Sequence, residues 1–141
     1  TVVRPVLLYR AETWALKRRE EEMLERTEMR MLRWILGVSL KDRKRNDFIR
    51  NKIGVTCITD KIRESRLRWY GHVQRSKEDG CIKRILNAEI YGRRSRGRQR
   101  KRWLDAIQQD MKKLHLTPET AANRSEWRRI TRVADPSPAR D

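Results

Sequence analysis

Arg18-Arg19-Glu20-Glu21-Glu22-Met23-Leu24-Glu25-Arg26-Thr27-Glu28-Met29-Arg30-Met31-Leu32-Arg33-Trp34-Ile35-Leu36 is the clearest helical pattern in the chain. Met23, Leu24, Thr27, Met31, Trp34 and Ile35 recur at helical spacing, and Leu16 extends the stripe backwards. The stripe reads as core packing. Glu20, Glu21 and Glu22 lie near the start and Arg26, Arg30 and Arg33 toward the end, the charge order favoured by the helix dipole. Gly37 fits a left-handed cap.

Working outward, Pro5 to Trp14 is a short apolar segment that must dock on the next helix or on a further part of a longer protein. Downstream, Asp42 to Ile53 is a polar helix candidate with Phe48, Ile49 and Ile53 as its contacts and Gly54 as its stop. Thr59 or Asp60 can cap a helix running to about Arg75, with apolar residues on two adjoining faces. Arg66 shares one of these faces and so needs an acidic partner or a route to water. Gly71 weakens that helix by about 1 kcal/mol relative to Ala, and fits either a close helix contact or a bend. Cys81 to Ile90 reads as a short helix. Arg100 to Leu114 reads as a longer one with Trp103, Leu104, Ile107, Met111 and Leu114 on one side. Thr117-Pro118-Glu119 starts a small helix, Ser125 to Val133 makes a last turn or two, and the proline-containing end is expected to fray. No alternating apolar run marks a strand. The expected fold is mainly α: a small irregular helical bundle of five to seven helices, with a basic arm, a frayed C-terminus and Trp34, Trp69 and Trp103 largely buried.

The arm is Arg93-Arg94-Ser95-Arg96-Gly97-Arg98-Gln99-Arg100-Lys101-Arg102, seven basic residues in ten and no acidic one. Such a run cannot enter a core. It lies in water or against a polyanion, and it also fits a nuclear-import signal. Arg93, Arg94, Arg96, Arg98, Arg100, Lys101 and Arg102 are therefore the candidate nucleic-acid-binding residues. The whole chain agrees: 36 Lys and Arg against 19 Asp and Glu give a net charge of +17, and such a basic balance marks a nucleic-acid partner. Leu, Ile, Val and Phe number 30 of 141, just above the boundary of about 20 % that separates folded from disordered chains. Two cysteines, with no secretory signal, imply a reducing, intracellular compartment. No apolar run is long enough for a membrane span. A start at Thr1 reads as a piece of a longer protein.

Chemistry finds little support. Cys57, Cys81, His72 and His115 lack the close spacing of a zinc site. Asp105 and Asp110 lie roughly 140° apart on a helix, whereas two-metal phosphoryl transfer needs converging carboxylates. Gly97 is not followed by the Gly-Lys-Ser/Thr ending of a phosphate loop. The residues imply no catalytic site, metal or cofactor.

Five motifs occur in order. They are Tyr9-x-Ala11-Glu12-Thr13-Trp14, then Met29-Arg30-x-Leu32-Arg33-x-Ile35-Leu36-Gly37, then Asp42-Arg43-x-Arg45-Asn46. Arg66-Leu67-Arg68-Trp69-Tyr70-Gly71-His72-Val73-x-Arg75 and Arg96-Gly97-Arg98-x-Arg100-x-Arg102-Trp103-x-Asp105 follow. Together they resemble the C-terminal region of non-LTR retrotransposon reverse transcriptases, most like the RTE group. The resemblance implies a parent with an endonuclease and an RNA-directed DNA polymerase upstream, whose catalytic Asp-Asp signature these 141 residues lack. It implies a thumb-like segment over 1–40, a helical C-terminal extension over 41–92, the arm over 93–102, C-terminal helices over 103–134 and a tail over 135–141. Arg10 stands where the family usually has Gly, and Gln99 where it usually has Pro. The leading expectation is a non-catalytic fragment that grips nucleic acid through phosphates, with the upstream polymerase domain as its other partner. The alternative is a repurposed basic module for acidic proteins or membrane surfaces.

Overall fold

The computed structural model describes residues 3–77, 80–88, 92, 96–97 and 100–137. Among them are seven α-helices: α1 (Val3–Leu7), α2 (Arg18–Ile35), α3 (Asn46–Ile53), α4 (Ile58–Gln74), α5 (Cys81–Asn87), α6 (Trp103–Lys113) and α7 (Arg124–Thr131). Three short 3-10 turns span Ala11–Thr13, Leu40–Asp42 and Pro118–Ala122, and the described residues form no strand.

Helix α4 is the axis. It packs against α2, α5, α6, α7 and the Ala11–Thr13 turn. Ile58 and Ile62, at its start, meet Ala11, Leu16 and flanking Leu7, Leu8 and Leu24. Leu67 and Tyr70, further along, meet Ile107, Met111, Leu116, Ala121 and Trp127. A third cluster of Met29, Leu32 and Ile49 joins α2 to α3. The two apolar faces expected on α4 are thus both covered, and Pro5 to Trp14 docks on α2 and α4.

The buried charges decide how the helices are turned. Arg66 finds its acid on α6: its guanidinium donates through Nε and Nη2 to Asp110 Oδ2, both at 2.8 Å. Glu28 of α2, only 2 % exposed, accepts from Arg4 at 2.7 Å and from the Ile58 amide at 3.3 Å, with Arg50 at 3.6 Å. The Ile58 amide is one of the orphan donors of the α4 N-terminus, so Glu28 replaces a local cap there.

Glu28 explains the main correction. The buried face of α2 is Leu24, Glu28, Met29, Leu32 and Leu36, not the stripe expected from its apolar residues. Met23, Ile35 and above all Trp34, at 84 % exposed, face solvent. A carboxylate at the centre of a core face breaks the apolar pattern, while two arginines and a backbone amide compensate its burial. Trp69 and Trp103 are half-buried, and the fully enclosed tryptophan is Trp127.

Several boundaries also move. Asp42 belongs to a separate turn, where its carboxylate accepts from the Ser39 amide at 2.7 Å and from the Ser39 hydroxyl at 2.9 Å. Arg43 then takes a left-handed conformation (φ 49°), so α3 starts only at Asn46. Phe48 remains half-exposed at 48 %. Helix α4 starts at Ile58, just before the expected cap. Helix α6 starts at Trp103, three residues after the expected Arg100. Of the end expected to fray, over 135–141, Asp135 is anchored, accepting from the Thr56 amide at 3.0 Å, and residues 138–141 lie outside the described residues. Just before it, the Val133 amide donates to Glu64 and the Thr56 hydroxyl to the Ala134 carbonyl. Lys61 donates to the Val133 carbonyl. Gly37 (φ 64°) and Gly54 (φ 76°) are left-handed stops, as the sequence predicts.

Candidate nucleic-acid interface

Of the arm, Arg93, Arg94 and Arg98 lie outside the described residues. Arg96, Arg100 and Arg102 are exposed. Arg102 occupies the N-cap of α6, and its amide donates to Asp105 at 2.8 Å. That carboxylate puts a negative charge in the first turn of α6, where the dipole favours it. Lys101 is half-buried, its ammonium donating to the Leu16 carbonyl at 2.9 Å. Trp103 Nε1 donates to the Glu12 carbonyl at 2.7 Å. The C-terminal end of the arm is thereby stapled to the segment before α2, and the exposed arginines leave from a fixed point.

A second basic surface went unnoticed in the sequence. Helices α4 and α7 flank a cleft of about 1110 Å³, lined by Arg68, Trp69, His72 and Arg75 on one side and Arg124, Arg128 and Arg132 on the other. Arginines four apart stack on one face of a helix, and the Arg124, Arg128, Arg132 spacing was the available signal. The helices approach closely at Gly71. A Cβ there would lie 2.5 Å from Trp127 Nε1 and 2.7 Å from its Cδ1. With no side chain in the way, the indole reaches past and donates to the Leu67 carbonyl at 2.9 Å. Gly71 therefore serves close contact, one of the two roles open from the sequence.

The cleft is short of negative charge. Glu12 and Glu64 are its acidic residues, and Glu64 is committed to Arg68 at 2.6 Å and to the Val133 amide. Arg75 donates to the Ala121 carbonyl at 2.6 Å. Burial pushes its guanidinium below the ordinary arginine range, and the charge of Arg124 pushes in the same direction. Cations held together this way favour a bound anion. Inside the cleft, Trp69 and His72 are stacked, ring centroids 5.2 Å apart and planes 26° from parallel. A separate groove along α2 is lined by Trp34, Arg26, Arg30, Arg33, Val38 and Leu40 together with Glu22 and Glu25.

Among the described residues no three His, Cys, Asp or Glu side chains come together as a metal site. Cys57 and Cys81 are free thiols. No described helix is long and apolar enough to cross a membrane.

The described residues define an all-helical, basic fold with a cationic, aromatic cleft and exposed arginines just before α6. Its sequence is similar to an uncharacterised transposon-derived protein of Caenorhabditis elegans, 25 % identical over 144 residues, which cover 94 % of this chain and 52 % of that protein. The relation is a distant homology, and the chain spans about half the length of that relative. No family model matches the chain, and no solved structure matches it.

Proposed function

We propose that this chain is the non-catalytic, nucleic-acid-binding C-terminal part of a retrotransposon reverse transcriptase of the RTE type, working beside an upstream polymerase domain. The observation that carries the reading is how the charges are distributed. Glu28, Glu64, Asp110 and Asp135 are consumed in internal pairs with Arg4, Arg68, Arg66 and Lys61. Arg96, Arg100 and Arg102 of the arm and Arg124, Arg128 and Arg132 of the cleft face solvent as an excess of positive charge. The transposon derivation of the relative supports the origin. The missing Asp-Asp pair supports a binding rather than a catalytic role.

The arm contacts phosphates and not base edges, so it positions the chain without reading sequence. With about five phosphates engaged, log K against log salt should fall with a slope of about −4.5 on duplex. The test is fluorescence anisotropy across a salt series. Replacing Arg96, Arg98, Arg100 and Arg102 with Ala should flatten the duplex slope by up to about four units, alike on unrelated sequences. An unchanged slope would make the arm a linker. Equal affinity for heparin and duplex at every salt concentration would favour a generic polycation.

A further inference from the structure

We infer that the cleft between α4 and α7 is a binding site for an unpaired segment of nucleic acid, with Trp69 as the platform on which a base stacks. The inference rests on the reading of the chain as a nucleic-acid-binding module. It divides that module into two surfaces, the arm for duplex backbone and the cleft for a single strand.

Three observations converge. The first is size. At about 1110 Å³ the cleft exceeds the roughly 300–1,000 Å³ of small-molecule sites, and it is open to solvent, which suits a length of polymer. The second is the placement of charge. Arg124 and Arg128 lie one helical turn apart, about 6 Å along α7, with Arg132 continuing the row. They face Arg75, itself crowded by Arg124. A row of cations along one wall follows a strand's phosphates, whereas a single small anion would use only part of it. The third is the aromatic pair. Trp69 is half-buried and stacked on His72 within the cationic walls. A π-surface set in a cationic groove is how proteins hold single strands without sequence preference, and the faces of paired bases are hidden within a duplex. Cation and ring therefore serve the two parts of a nucleotide, and only a strand free of its complement offers both.

The experiment uses the whole chain, with labelled oligo(dT), oligo(U) and a 20-base-pair duplex in anisotropy titrations. Circular dichroism checks the fold of each variant. Trp69→Ala should weaken single-strand binding about 5- to 150-fold, the span measured for losing one stacked base, and leave duplex affinity within about twofold. Trp69→Phe should restore most of the loss. Arg124→Ala with Arg128→Ala should flatten the single-strand salt slope by about 1.4 units. A 2-aminopurine base placed in oligo(dT) should be quenched by the wild type and not by Trp69→Ala. Comparing oligo(U) with oligo(dT) assigns the strand as RNA or DNA. If Trp69→Ala does not fold, Trp69→Phe and the arginine pair carry the decision through the strand-to-duplex ratio and the slope. Wild-type single-strand affinity in folded Trp69→Ala, or an unchanged slope in the arginine pair, overturns the inference. Arm-dependent duplex binding in that same case leaves the general function standing. If the wild type binds neither strand nor duplex, the general function fails and the cleft assignment fails with it.

Discussion

Gly71→Ala is the substitution whose sign decides how the two helices meet. In an open helix interior the change would stabilise by about 1 kcal/mol, because alanine is the better helix former. In this structure the new methyl would sit 2.5 Å from Trp127 Nε1. Trp127 is 2 % exposed, so its ring has nowhere to retreat. Overpacking of this kind costs about 1–3 kcal/mol. Displacing the indole would also lose its hydrogen bond to the Leu67 carbonyl, worth about 0.5–1.5 kcal/mol. The helix gain offsets part of this, leaving a net destabilisation of about 2 kcal/mol. For a chain of this size that is a fall in Tm of roughly 4–8 °C. Thermal unfolding followed by circular dichroism measures it. The same variant in a Trp127→Leu background should show a smaller penalty, because the rigid indole ring that carries the clashing Nε1 and Cδ1 is gone, and a double-mutant cycle reads the difference as coupling. The arginine row of α7 should shift with Trp127, so single-strand affinity should fall even where the protein stays folded. A rise in Tm on Gly71→Ala alone would refute the close approach of α4 and α7, and with it the geometry of the cleft.

Two further predictions concern stability and thiol chemistry. Asp110→Ala strands the buried Arg66 guanidinium, with Glu21 as its nearest remaining acid at 3.9 Å, and should cost about 3–5 kcal/mol in urea unfolding. Arg66→Met combined with Asp110→Leu should recover most of that loss, and a cost below about 1 kcal/mol for Asp110→Ala would mean the pair is not buried as described. With a thiol reagent at mildly alkaline pH, Cys81 should react in a fast phase and Cys57 in a slow one. Burial pushes the Cys57 thiol up, against the weaker pull of its Thr59 hydrogen bonds, and only the thiolate reacts. Cys81→Ser should remove the fast phase, and loss of the slow phase instead would reverse the assignment.

Helical class, the Gly37 and Gly54 stops, and the apolar residues of α6 were all legible, because each depends on local spacing and backbone freedom. The two-sided burial of α4 was legible for the same reason, and so was the need of Arg66 for an acid. Which acid answers it was not: Asp110 lies 44 residues away, and nothing in either helix alone names the other. The arm announced itself by composition, since seven basic residues in ten can only lie at a surface.

What the tertiary structure alone decided is the orientation of α2 and the existence of the cleft. Read locally, α2 should bury Trp34 and expose Glu28. It does the reverse, because Arg4, Arg50 and the first amide of α4 converge on that carboxylate from three other parts of the chain. The cleft likewise needs Gly71 and Trp127, 56 positions apart in sequence, to bring two arginine-bearing helix faces together. Hydrophobic periodicity reports how one helix would like to face a featureless core. It carries no information about which distant charge or ring completes that core, and here those partners set both the packing and the candidate site.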